Sequence, residues 1–461
     1  MAASETMEAY LAVVQEQIRW KRARPALARE LERHLTDQRD AFIKEGKPAE
    51  EAERMAVADM GDPVEVGAAL DAVHRPRPQW GLLAWTLALA AACTALRLIL
   101  TADWHYEGES PLRALLALLL GTGALLGLYF LDISRLVRHA GKIYIGTLAL
   151  GGGCILQACW APASHAALYG YRFSYYYLSL FLPLVYALWV YVCRGRGWPG
   201  LFLSIAGGIP LMFISDWWYP SMVNLLVLVF SGFALMLCAA WGDWFGVRRG
   251  RGTAAVLCIS ALLGGAVWVL ALRHMARLGV ALHPEQDPLG AGWLALRLRE
   301  FLQDIPLLRS PEEGASAILG VRSPLLATHM DEVLGRDFFP AMLAVRFGWL
   351  ALILLLAATL GLVLRLALRA LKQKNRAGRL IALAAALALG ARALLSTILN
   401  LGFVLYGTGF PLLAGNRFMV ADMALIGLAL SAFRGNGVSW EEAYPPPRRR
   451  IKRIRLQVEY R

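Results

Sequence analysis

Residues 349–379 read WLALILLLAATLGLVLRLALRALKQKNRAGR. An apolar run near the ~20 residues needed to cross a bilayer gives way to Arg365, Arg369, Lys372, Lys374, Arg376 and Arg379. An apolar stretch closed by Lys and Arg marks a membrane helix whose basic flank stays on the cytoplasmic side. The span is assigned to 340–364, and the same pattern recurs on both sides of it. Upstream lie apolar segments at 80–100, 114–132, 143–160, 175–193, 200–215, 221–241 and 253–272; downstream lie 380–401 and 418–433. The fold class is therefore all-α, a polytopic membrane protein of about ten transmembrane helices with a small helical domain before them.

The charges between spans set an expected topology. Arg135, Arg138 and Lys142 follow the second segment, Arg194 and Arg196 the fourth, and Arg248, Arg249 and Arg251 the sixth. These loops belong in the cytoplasm. Asp103, Glu107 and Glu109 follow the first segment, and Asp216 with Trp217, Trp218 and Tyr219 follows the fifth, the composition of an external loop with an interfacial aromatic belt. Both termini are then cytoplasmic, and residues 274–339 form one large external loop. The segment 200–215 is short and interrupted by Gly207, Gly208 and Pro210, but without it every downstream basic loop would fall outside.

Composition agrees: 57% of residues are hydrophobic, with 15 Trp among 461 residues, and mean hydropathy is +0.48. The net charge of +13 sits beside spans and in the tail rather than on one globular face. It reads as topology and attraction to anionic lipid, with no nucleic-acid partner. The six cysteines, Cys93, Cys154, Cys159, Cys193, Cys238 and Cys258, all fall in or at the edge of apolar segments. Their positions suggest neither an external disulfide nor zinc. The eight His are scattered and show no ligand spacing, so no metal site is expected. With the first apolar segment starting near residue 80, the first helix is expected to act as the insertion signal.

Residues 1–74 carry a different pattern. Met7, Leu11, Val14 and Ile18 share one helical face, and Leu27, Leu31, Leu35 and Phe42 the next. Pro25 and Pro48 sit where helices begin, Gly61 ends a third helix, and Asp62-Pro63 is an N-cap with an N1 proline. Three or four cytoplasmic helices are expected. The Tyr10-Leu11 helix, and the stretch from Ala49-Glu50-Glu51-Ala52 through Met60-Gly61-Asp62-Pro63, resemble the permease prefix domain of some bacterial membrane proteins. That resemblance implies either a docking module or a folding cap. At the other end, residues 435–461 hold Pro445-Pro446-Pro447 and then Arg448, Arg449, Arg450, Lys452, Arg453 and Arg455. Such a basic cytoplasmic tail attracts anionic headgroups, at about 1 kcal/mol per basic residue near the surface.

In the external loop, His283-Pro284-Glu285-Gln286-Asp287-Pro288-Leu289-Gly290-Ala291-Gly292-Trp293 stands apart as an acid-rich turn. Its glycines would let backbone approach a ligand, and its carboxylate could serve as a general base. This run resembles the Asp-Pro-x-Gly-x-Gly-aromatic motif of the SEDS family, the RodA, FtsW and SpoVE group of cell-wall proteins. The resemblance continues at Asp337-Phe338 and Phe347-Gly348, and at Asn400-Leu401-Gly402-Phe403 and Thr408-Gly409-Phe410-Pro411-Leu412. It covers most of residues 80–434.

The resemblance implies ten helices with the motif between the seventh and eighth. It also implies a peptidoglycan glycosyltransferase that polymerises lipid II on the outer face of the bacterial cytoplasmic membrane. It assigns the catalytic carboxylate to Asp287. Substrate-binding roles are expected for Arg277, which would face the lipid diphosphate or else anchor the end of the seventh helix, and for Asp337, which would keep a family position or cap the eighth helix beside Pro340. Arg392 lies inside the ninth span, where a buried charge costs at least ~2.5 kcal/mol; it would grip an anionic headgroup or pair with Asp422. Arg417 reads as an interfacial anchor. The implied partners are lipid II or a related precursor and a transpeptidase of the penicillin-binding type; no cofactor is evident beyond a divalent cation on the substrate phosphates.

The chain also departs from the family. No Glu or Lys occurs from Tyr177 to Leu182, a charged stretch from Leu296-Arg297-Leu298-Arg299-Glu300 replaces a Gln-Ser and glycine-rich run, Val345-Arg346 replaces a Glu-Glu pair, and Ala414-Gly415-Asn416-Arg417 replaces an Ile-Ser-Tyr-Gly-Gly stretch. A relative that binds precursor or a division partner without catalysis is therefore a second expectation, and a transporter a third.

Overall fold

The computed structural model describes residues 6–21, 23–74, 78–104, 110–160, 177–218, 222–272, 275–290, 292–314, 316–317, 338–403, 409–413 and 415–434. All regular structure among them is helical. Every apolar segment read from the sequence coincides with helix, and seven helices are long and apolar enough to span a bilayer. The chain divides into two compact units: Met1–Arg138 with Leu294–Val404 and Thr408–Ala443, and a second built on His139–Trp293.

The first unit begins with α1 (Met7–Gln17), α2 (Arg24–Lys44), α3 (Ala49–Asp59) and α4 (Pro63–His74). Thr6 caps α1 by accepting from the Ala9 amide, and Pro25 starts α2. Gly61 adopts a φ of +83°, which lets α3 stop and α4 start at once. Tyr10, Val14, Ile18, Leu27, Leu31, Leu35 and Val57 form the shared core, with Met7 and Leu11 partly buried beside it. Phe42 is only half-buried. The Arg19 amide donates to Asp71 Oδ1 at 2.8 Å, tying the end of α1 to α4.

The membrane part of this unit comprises α5 (Trp80–Trp104), α6 (Pro111–Phe130) and, after the short α7 (Ile133–Arg138), helices from the C-terminal half. The innermost is the last span, Asn416–Arg434, 83% buried over its most apolar window. It crosses α6 at a glycine: a Cβ on Gly427 would lie 2.6 Å from the Leu125 carbonyl oxygen. Small residues at such crossings let membrane helices approach backbone to backbone.

The second unit holds α8 (Ala140–Trp160), α9 (Leu182–Val192), α10 (Trp198–Ala206), α11 (Gly208–Trp218), α12 (Met222–Trp241), α13 (Arg249–Leu272) and α14 (Met275–Leu282). Helix α9 is buried along almost its whole length. The fifth span, expected at 200–215, is broken into α10 and α11 at Gly207. Pro210 has no amide to continue the ladder, and Tyr144 donates to the Gly207 carbonyl at 2.8 Å. Asp216, expected in the loop after this span, lies instead in the last turn of α11 and is 2% exposed.

Two further boundaries differ from expectation. Residues 274–339 are not simply a loop, since they contain α14 and α15 (Trp293–Gln303). The span placed at 340–364 is two helices, α16 (Phe339–Phe347) and α17 (Trp349–Leu371), divided at Gly348 with φ +91°. Pro340 belongs to the first turn of α16, whose N-cap position is occupied by Phe338. Residues 306–311 run along this corner: the Leu350 amide donates to Leu307 O at 2.9 Å and the Arg309 amide to Phe347 O at 3.2 Å. The last two spans are α18 (Arg376–Asn400), capped by Asn375 through the Ala377 and Gly378 amides, and α19 (Asn416–Arg434).

Candidate functional site

In the second unit, the chain leaves α14 and folds Asp287 into a tight turn. A single 3₁₀ turn covers Pro284–Gln286, and Asp287 ends it, its amide donating to Pro284 O at 3.2 Å. The Asp287 carbonyl then accepts from the Gly292 amide at 3.0 Å, and the Trp293 amide reaches Gly290 O at 3.2 Å. The side chain of Asp287 is exposed. Gly292 is sterically required, and Gly290 leaves room for the carboxylate. A Cβ on Gly290 would strike the Asp287 carboxylate oxygens, and one on Gly292 would lie 2.7 Å from the Asp287 carbonyl oxygen and clash with Pro284 O. The turn thus presents a solvated carboxylate over bare backbone, a geometry suited to accepting a proton from a ligand hydroxyl.

The first unit holds a carboxylate of the opposite kind. Arg392 on α18 is 1% exposed and Asp422 on α19 is fully buried. Arg392 Nη1 donates to Asp422 Oδ1, and Nη2 to Gly409 O at 3.0 Å. Asp422 Oδ2 accepts from the Leu412 amide at 2.9 Å. Between these tethers, Phe410-Pro411-Leu412-Leu413 makes a turn closed by the Leu413 amide on Phe410 O at 3.2 Å. Leu412 takes a φ of +62°, the conformation the third residue of a type II turn demands and usually leaves to glycine. For an L-residue it costs about 1–2 kcal/mol. Phe418 stacks beneath the Arg392 guanidinium at 5.4 Å.

Arg392 and Asp422, named together as one of two outcomes in the sequence, are thus an ion pair. Asp287 and Arg392 belong to different compact units. Arg277 lies on α14, whose backbone alone is described there. Asp337 and the basic tail lie outside the described residues. Arg417 is exposed in the first turn of α19. Sequence reading missed Arg97 on α5, which is fully buried and donates through Nη2 to Asn416 Oδ1 at 2.7 Å. Its signal, a charge inside an apolar span, is the one that marked Arg392.

Where the sequence departs from the SEDS pattern, Arg297 pairs with Glu300, while Arg299 and Arg346, and Arg309 nearby, grip backbone. Arg299 Nε donates to Gly402 O at 3.1 Å, Arg309 Nη1 to Val345 O at 2.6 Å, and Arg346 Nη1 to Pro311 O at 2.6 Å. Asn400, from the Asn-Leu-Gly-Phe stretch, accepts from the Ala341 amide at 3.1 Å and so joins α18 to α16. Among the described residues, no cluster of His, Cys, Asp and Glu could hold a metal ion.

No family model matches the chain, and no curated protein does. Solved structures do. A chain from a structure concerned with coordination of polymerization and crosslinking by a peptidoglycan synthase complex is similar at a TM-score of 0.53 and 21% identity, over 78% of this chain and 98% of that one. The rod shape determining protein RodA of Thermus thermophilus aligns at 0.49 and 18% identity, over 78% and 97%. The first likeness extends over most of both chains and is one of fold, the all-helical membrane fold expected from the SEDS resemblance.

Proposed function

We propose that this protein is a divergent SEDS-type membrane protein of bacterial cell-wall synthesis that polymerises lipid II at the outer face of the cytoplasmic membrane, with Asp287 as its catalytic carboxylate. One observation carries the reading: an exposed carboxylate on a glycine-cradled Asp-Pro-x-Gly-x-Gly-aromatic turn, in a chain that shares its fold with part of a peptidoglycan synthase complex.

In this reaction the acceptor sugar hydroxyl gives its proton to Asp287 as its oxygen bonds to the anomeric carbon of the donor. The bond from that carbon to the lipid diphosphate breaks, and the polyprenyl diphosphate leaves with the electron pair. Transferring a proton to a positioned base typically contributes about 10²–10⁴-fold. Arg277 is proposed to meet the departing diphosphate, and Asp337 to hold the substrate. The basic loops support cytoplasmic termini and an outward-facing motif. A transpeptidase is the proposed partner, because the similar structure concerns polymerization together with crosslinking.

The test is polymerisation of labelled lipid II by the purified full chain in liposomes, with and without a transpeptidase, beside Asp287→Ala and Asp287→Asn. Glycan chains from the wild type and none from equally stable variants are expected. No chains from folded wild-type protein under every condition would overturn the proposal.

A second reading, binding of precursor or a division partner without polymerisation, is favoured by Arg346. It stands where the resemblance has a carboxylate, and it is turned inward onto Pro311 O. That reading expects Asp287→Ala to leave the cellular phenotype unchanged while deletion of residues 1–74 does not.

A further inference from the structure

The connection between the last two spans does not stay at their ends. Arg392 lies eight residues before the end of α18 at Asn400, and Asp422 six residues after the start of α19 at Asn416. At 1.5 Å per residue these positions are about 12 Å and about 9 Å inside the helix ends. Leu412 is bonded to Asp422 and Gly409 to the end of the Arg392 side chain, so the chain between the spans folds back into the bundle, Leu412 to about the level of Asp422.

Non-helical backbone at membrane depth persists only where protein buries it or where it lines a cavity, because lipid cannot satisfy its polar groups. Here Phe410, Leu412 and Leu413 are at most 1% exposed, and the polar groups at both ends of the segment are met by one ion pair. A buried ion pair is a poor source of stability compared with apolar packing of the same volume. What this one supplies is direction. The guanidinium faces the Gly409 carbonyl, the carboxylate faces the Leu412 amide, and reversing the charges would put acceptor against acceptor and donor against donor. The pair therefore also holds Leu412 in the left-handed conformation that its side chain disfavours.

We infer that Arg392 and Asp422 are positioning residues: an intramembrane clasp that fixes the re-entrant Gly409–Leu413 stretch, and through it the geometry in which the polymerase works. The link to catalysis rests on the proposed function; the clasp itself does not. Asp422 touches no substrate in this assignment, and Arg392 serves it from within the bundle rather than by gripping a headgroup.

The experiment uses full-length protein in nanodiscs and two double variants. The first reverses the charges, Arg392→Asp with Asp422→Arg, restoring an ion pair but not the two backbone bonds. The second, Arg392→Met with Asp422→Leu, replaces both charges with apolar side chains, and it serves if the reversed pair fails to insert. Hydrogen exchange over residues 409–413 and steady-state polymerisation of lipid II are measured on each. In either variant the Leu412 amide is expected to exchange at least about tenfold faster than in the wild type. The turnover number is expected to fall by about 100-fold, the scale of a 1 Å misplacement, while KM stays within about twofold. A reversed or apolar pair that keeps both Leu412 protection and turnover overturns the inference, because the pair would then only neutralise charge. A wild type that makes no polymer removes the proposed function, and exchange alone then decides the clasp: faster exchange supports it, unchanged exchange sinks it.

Discussion

Asp287 and Asp422 are the same side chain put to opposite uses. Asp287 sits exposed on a turn closed by backbone-to-backbone bonds. Asp422 is fully buried and spends both oxygens, one on Arg392 and one on the Leu412 amide. The contrast teaches how to separate chemistry from architecture in this protein. Removing the exposed carboxylate should cost activity without stability, and removing the buried one should cost stability first.

The largest effect is expected at the exposed end. Asp287→Ala should lower polymerisation by about 10²–10⁴-fold, the usual contribution of a general base, with thermal unfolding of the purified chain unchanged. A melting temperature that falls along with the activity would break the comparison, since Asp287 would then hold the turn as well as the proton.

Next comes the buried end. Asp422→Ala leaves Arg392 buried and uncompensated and frees the Leu412 amide, a loss of about 3–5 kcal/mol for breaking such a pair. Equilibrium unfolding in detergent should show it directly. An effect below about 1 kcal/mol, the scale of an exposed pair, would mean that water reaches Asp422 and that the two carboxylates are more alike than the geometry indicates.

How much of this contrast was legible in the sequence depends on the physical signal each residue leaves. The spans were visible because an apolar run of bilayer length has few other uses, and the head because Pro25, Pro48 and Asp62-Pro63 punctuate its helices. The Asp287 turn was legible from its glycines. The break at Gly348 was not, because the run from Pro340 to Leu364 is apolar on both sides of it but for Arg346, and hydropathy carries no φ. Leu412 was hidden for a related reason: a leucine in a left-handed turn looks like any leucine, and only Asp422, distant in the turn's own sequence, explains how it is held. Asp216 read as a loop residue because Trp217 and Trp218 follow it, yet it belongs to the last turn of α11 and is buried there. Arg277 and Asp337 were named from resemblance alone, and the side chain of the first and the whole of the second lie outside the described residues.

The comparison is sharpened by moving Asp287 without removing it. Gly290→Ala places a methyl against the carboxylate oxygens, so the side chain must swing away while the backbone bonds of the turn survive. Activity should drop by about 10–100-fold, less than for Asp287→Ala, by misplacement of the base. The Asp287→Ala/Gly290→Ala double variant should be no worse than Asp287→Ala alone. A further loss in the double variant would show that the glycine serves ligand approach independently of the carboxylate.

The smallest effect tests what a buried polar group contributes when nothing clasps it. Tyr10 in the N-terminal helical head is fully buried, and among the described residues its hydroxyl has no hydrogen-bond partner. Burial, with a smaller contribution from Asp62, raises its pKa above the ordinary value of 10.0. The folded head therefore favours the neutral phenol. Above pH ~10 the unfolded chain loses this proton first, so the wild-type head loses stability as pH rises from there towards the folded-state pKa. Tyr10→Phe removes the hydroxyl and keeps the ring, and it should stabilise the head by about 1 kcal/mol at neutral pH, because no buried group is left unsatisfied. It should also flatten the alkaline decline. Hydrogen exchange of the α1 amides in the full chain, measured at neutral pH and near pH 10.5, reads both effects. Faster exchange in Tyr10→Phe at neutral pH would show that the hydroxyl is held after all, and that burial in this protein always comes with a clasp.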